Sequence, residues 1–130
     1  MATYTPDPLG IYHATDGIRN GSTLLTPKFA FVNVAASQTD SSVVAAVTSK
    51  KIRILALYAV AGATATDLTF NTKPAGAGSA ISAKFANSAN GGEILPFSSI
   101  GWFETASGEG LAVTTGAGST TGIGVVYVEV

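Results

Sequence analysis

Short runs of alternating apolar residues, broken by turn residues about every ten positions, constrain this chain more than any other feature. "FAFVNVAA" (29–36) sets Phe29, Phe31, Asn33 and Ala35 on one side and Val32 and Val34 on the other. "SVVAAVTS" (42–49) follows a polar turn. "KIRILALYAVA" (51–61) puts Ile52, Ile54, Ala56, Tyr58 and Val60 on one face and Arg53, Leu55, Leu57, Ala59 and Ala61 on the other. Both faces are apolar beyond Arg53, the pattern of a strand covered on two sides. "TDLTFNT" (66–72), "AISAKFA" (80–86), "EILPF" (93–97), "GWFETA" (101–106), "EGLAVTT" (109–115) and "GIGVVYVEV" (122–130) complete the series. The spacing predicts about eight or nine strands in an all-β, antiparallel sandwich of the jelly-roll kind, residues 28–130. No run carries a helical stripe. The glycine-rich "GAGSTTGIG" (116–124) is expected as a mobile loop between the last two strands.

Residues 1–27 break this pattern. They contain Pro6, Pro8 and Pro27, the turn pairs Asp16-Gly17 and Asn20-Gly21, and no sustained period. They also carry Tyr4, Leu9, Ile11 and Tyr12, apolar content that has to lie against something. The expectation is an extended N-terminal arm covering its own domain or reaching a neighbouring subunit.

A chain of 130 residues forms one domain with enough core to fold without staples. It has no cysteine, which rules out disulfides and thiolate metal sites and permits folding in a reducing cytoplasm. Net charge is -1, and only Lys50, Lys51 and Arg53 cluster among the basic residues, so no nucleic-acid groove is expected. The N-terminus lacks the basic and apolar regions of a secretory signal. The apolar segment from Ile54 to Ala63 is too short to span a bilayer, so no membrane partner is expected. Charged residues make up 12% of the chain, about half the usual share of roughly 25%. Such a surface suits either a neutral β-domain coated with serine and threonine or a subunit largely covered by neighbours.

Catalytic chemistry finds little support. Glu104 and Glu109 flank "TASG", and a hairpin there would bring two carboxylates together, as glycoside hydrolysis requires, with Trp102 as a sugar platform. Two solvated turn residues beside a half-buried tryptophan explain the same letters with fewer demands. His13, Asp16 and Ser22 can be drawn as a triad, but they lie in the irregular arm, where nothing rigid aligns them. The acids show no calcium-loop spacing, and the glycine-rich loops lack a P-loop lysine. The reading is a non-enzyme with no catalytic, cofactor or metal residues.

"KIRILALYAVAGATATDLTF" (51–70), "GGEILPFSSIGWFETASGEGLAV" (91–113) and the closing "GIGVVYVEV" together resemble the β-sandwich decoration (cement) proteins of tailed-bacteriophage capsids. The resemblance spans about residues 28–130 and lies in the arrangement: a long apolar strand, a glycine-proline loop, "LPF", an aromatic pair before "T-x-x-G-E-x-L", and "VYVEV" at the end. It implies a homotrimer seated outside the phage head, made in the bacterial cytoplasm, with the major capsid protein as partner and the arm (Tyr4, Leu9, Ile11, Tyr12) gripping the shell. The same sandwich is similar to domains of head fibres and tail receptor binders, the alternative in which Trp102 and Phe103 are glycan-stacking platforms.

Overall fold

A computed structural model describes residues 18–130 in full and the backbone of Tyr4–Pro6 and Tyr12–Ala14. Those two short segments, β1 and β2, pair antiparallel with each other. A hairpin of β3 (Arg19–Asn20) and β4 (Thr23–Leu24) follows, turning at Gly21 with positive φ. The sandwich begins with β5 (Lys28–Val34) and continues through β6 (Ser41–Val44), β7 (Ile52–Ala61) and β8 (Thr66–Lys73). Next come β9 (Ser79–Ala80), β10 (Phe85–Asn87), β11 (Gly92–Leu95) and β12 (Phe103–Glu104). β13 (Gly110–Thr115) and β14 (Thr121–Glu129) complete it.

One sheet runs β11-β7-β14-β5, with β12 continuing the β11 edge along β7. The other runs β10-β8-β13-β6, with β9 continuing the β10 edge along β8. Counting each broken edge once leaves eight strand positions, all antiparallel. The first pairs with the eighth, the second with the seventh, the third with the sixth and the fourth with the fifth. That nested pairing is a jelly roll. The alternating segments and their spacing therefore predict the fold class correctly.

Between the sheets, Val34, Ile52, Ile54, Leu57, Ala59, Ile123 and Val125 meet Val44, Leu68, Phe70, Leu111 and Val113. Period-two alternation accounts for this core on every strand but β7. There Ala56 pairs with Val126 and Ile54 with Tyr127, leaving Leu55 as an extra residue. This bulge moves the inward set from Ile52 and Ile54 to Leu57, Ala59 and Ala61. Strict alternation, which joins Ile54 to Ala56 and Tyr58, fails at that point. The expectation of a strand covered on both sides is also corrected: among the described residues, Tyr58 and Val60 face outward and are half-exposed.

Two loop expectations change as well. Gly122 and Gly124 belong to β14, so the last connection covers only residues 116–120. Trp102–Thr105 does not form a hairpin with the segment after Glu109, because β12 pairs with β7 while β13 pairs with β6 and β8 in the opposite sheet. The stretch between them is a crossing from one sheet to the other. Buried Thr105 ties it down: its hydroxyl donates to the Glu109 carbonyl (3.0 Å) and accepts from Ile52 N–H (2.9 Å).

Candidate interaction surface

The two outer faces of the sandwich differ in chemistry. On the β8–β13 sheet, the outward rows join Thr69 to Thr114 and Asn71 to Ala112 and Ser42. Lys84 bridges to Asp67 at 2.7 Å beside them. Asn71 donates to Asp40 Oδ1 (2.8 Å) and Thr114 Oγ1 (2.7 Å), and Asp40 Oδ2 accepts from Gly78 N–H (2.8 Å). This is a polar, internally satisfied face of the usual antiparallel kind.

The β7–β14 sheet presents the opposite. Registry aligns Ile94, Tyr58, Gly124 and Phe31 in one cross-strand row, and Ala56, Val126 and Phe29 in the next. A third row holds Gly92, Val60, Gly122 and Asn33. Phe29 is 79% exposed, Phe31 84% and Ile94 79%. Large apolar side chains cost free energy in water at about 25 cal/mol per Å². At the 150–250 Å² an aromatic residue can bury, the exposed parts of Phe29, Phe31 and Tyr58 come to roughly 300–500 Å², to which Val60 and Ile94 add. That lies at the upper end of the patch found on a monomer, about 300–600 Å².

The face has relief. Phe29 and Phe31 stand as a ridge along the edge strand β5, and Ile94, Leu95 and Pro96 form a second wall across the sheet. Between them lies a groove of about 570 Å³. Gly124 sets its floor: the Tyr58 ring lies over it, and a Cβ there would collide with ring atoms Cε1 and Cζ. At the end of the same sheet, on its core-facing side, Lys28 Nζ donates to Glu129 Oε1 at 2.8 Å, and that hydrogen bond raises the lysine pKa above its ordinary value, against a smaller lowering by desolvation.

The residues singled out in the sequence fall in several places. Trp102 is 46% exposed, its ring held by an N–H bond to the Pro96 carbonyl (2.7 Å), beside exposed Phe97 and Ile100. Phe103, its neighbour, packs against the core and stacks on Phe70 with centroids 5.3 Å apart, so the pair does not form one platform. Glu104 accepts from Arg53 Nε (2.9 Å) and Lys51 Nζ (3.2 Å). Partial burial alone would raise its carboxyl pKa; the hydrogen bonds and charges of Arg53 and Lys51 outweigh this and hold it below the usual range. Glu109 instead accepts from the Thr72 hydroxyl. The two carboxylates thus serve separate structural bonds. Tyr4 and Tyr12 lie on β1 and β2, whose side chains are outside the described residues, as are Leu9, Ile11, His13 and Asp16.

Among the described residues, no group of three or more acids and histidines is placed to hold a metal, and no helix is long and apolar enough to cross a membrane. Comparisons with protein-family models, curated proteins and solved structures find no match. Sequence reasoning missed the Phe29–Phe31–Ile94 face. The signal was present in "FAFVNV", where both sides of one strand are apolar although an edge strand needs only one side for the core.

Proposed function

We propose that this protein is a structural component of a virus particle: a capsid decoration protein that binds the outside of a tailed-phage head as a trimer and stabilises it. The observation that carries this reading is the unequal pair of faces, one polar and one bearing the exposed Phe29, Phe31 and Ile94. Such a body suits a subunit covered on one side. The jelly roll recurs in viral capsid and lectin domains, which is a fold-level analogy only. A clamp that binds only the assembled shell stabilises it by mass action, and many copies on one lattice turn a modest contact into firm retention. The test is co-sedimentation of the purified protein with phage heads stripped of decoration, followed by electron microscopy and heating. Saturable occupancy at symmetry-related positions and later rupture of decorated heads are expected. Heads that sediment bare at every protein concentration refute the reading.

A second reading, a receptor- or glycan-binding module of a head fibre or tail, is favoured by Trp102. Its half-exposed ring is fixed by the Pro96 bond rather than free to rotate. A glycan array decides it: binding lost in Trp102→Ala supports the module, and an array without signal removes it.

A further inference from the structure

We propose that the outer face of the β7–β14 sheet is the self-association surface of this protein, and that its occupant is a second copy of the chain, with the Phe29–Phe31 ridge of one copy seated in the groove of the next. The proposal deepens the functional reading above but takes from it only the assertion that the chain self-associates; the phage head does not enter.

Three features select a second copy over other occupants. The first is area. The roughly 300–500 Å² of exposed aromatic surface, with Val60 and Ile94 added to it, supplies more than a third of the share of about 800 Å² that each partner contributes to a stable interface, before the surrounding backbone is counted. The second is shape. Ridge and groove lie side by side on one face, so a rotation axis beside β5 brings the ridge of each copy to the groove of another and satisfies both at once. The third is charge. The rows Ile94–Tyr58–Gly124–Phe31 and Ala56–Val126–Phe29 contain no ionisable group other than the Tyr58 phenol. No acidic or basic partner is selected by such a centre, whereas like-to-like apolar contact needs none.

The two phenylalanines are exposed in one copy, so replacing them does not hollow its core. The experiment is sedimentation-velocity ultracentrifugation of the full chain over a concentration series, beside Phe29→Ser/Phe31→Ser and the control Ile100→Ser, an equally exposed apolar residue that does not line the groove. A dimer or trimer of the native chain is expected. The double variant should weaken it at least about thirty-fold, as loss of aromatic anchors does at interface centres, with circular dichroism melting within a few degrees of native. Ile100→Ser should leave assembly unchanged. An oligomer that survives the double substitution overturns the proposal, because the interface then lies elsewhere. A monomeric native chain overturns it too; deletion of residues 2–27 then shows, by new binding of a hydrophobic dye, whether the arm is the occupant instead. Head binding is scored separately. An oligomer broken by the double variant with no affinity for heads sinks the decoration reading and keeps this interface, whereas a monomer that still coats heads does the reverse.

Discussion

Phe70→Leu tests whether the sandwich is joined by an aromatic stack that spans its two sheets. Phe70 on β8 is fully buried, with Phe85 of β10 edge-on at 6.1 Å and Phe103 of β12 stacked at 5.3 Å. Phe103 belongs to the opposite sheet, so the second contact crosses the sandwich. Leucine keeps most of the apolar burial and removes both ring contacts. Each aromatic pair contributes about 0.5–1.5 kcal/mol beyond its area, so the two together come to about 1–3 kcal/mol. The unfilled ring volume adds on the order of 1 kcal/mol. The expected loss is about 2–4 kcal/mol from a domain whose stability lies at roughly 5–15 kcal/mol. Urea unfolding at equilibrium measures it, with the slope against denaturant unchanged if the unfolded ensemble is unaffected. A cycle with Phe103→Leu isolates the cross-sheet pair, and a coupling of about 1 kcal/mol is expected. A loss below about 1 kcal/mol, or additivity of the two substitutions, refutes the stack as a joint and returns Phe103 to candidacy as a surface platform.

Other consequences concern charge and the groove floor. Glu104 has its folded pKa lowered by Arg53 and Lys51 despite partial burial, so its stabilising contribution is present above the unfolded glutamate range and is lost as pH falls through the folded value; Glu104→Gln should flatten that part of the acid melting curve. Glu93 has the opposite sign. Burial raises its pKa, the facing Asn87 amide offsets part of the rise, and neither Asn87 Nδ2 nor Glu93 Oε1 completes a hydrogen bond within the protein. Its ionised form therefore opposes folding above the raised value, and Glu93→Gln should increase the melting temperature at neutral pH but not at pH values where the acid is protonated. Gly124→Ala should displace the Tyr58 ring and cost about 1–3 kcal/mol as overpacking does; combining it with Tyr58→Ala should recover part of the loss, and an unchanged melt for the single variant would show that the ring does not depend on the glycine.

The fold was legible because its information is local. Alternation in 66–72 and 122–130, and turn residues between segments, place β8 and β14 within one residue of their observed starts. Where register depends on a partner strand, the letters are silent. The Leu55 bulge exists because the consecutive Val126 and Tyr127 of β14 pair with Ala56 and Ile54, leaving Leu55 without a partner position, and Leu55 is as apolar as its neighbours. "AISAKFA" reads as one strand because nothing local shows that β8 pairs first with Ser79–Ala80 and again with Phe85–Asn87. The Glu104–Glu109 stretch reads as a hairpin because a sheet-to-sheet crossing and a tight turn use the same Ser-Gly chemistry. The interaction face was hidden for a different reason. Apolar residues on a strand say that something covers them, and only three-dimensional pairing shows that the chain's own described residues do not.

That residue of uncovered apolar surface bears most heavily on function. The jelly roll closes its core without help from Phe29 or Phe31: Ala30, Val32 and Val34 supply the inward side of β5. Serine or threonine at 29 and 31 would keep the strand, as Thr69 and Thr114 do on the opposite sheet, and would remove an exposed edge that invites aggregation. Two phenylalanines on an edge strand therefore contribute nothing that the isolated fold needs and add a solubility hazard. The hazard disappears when something beyond the described residues covers them, a second copy in the proposal above. The proposed covered face also fits the low charge of the chain, since ionised groups placed there would lose hydration on contact. On the proposed self-association, sparse charge, a ridge beside a groove and a polar opposite face trace to one physical requirement: a body complete as a fold and, in its described residues, incomplete as a surface.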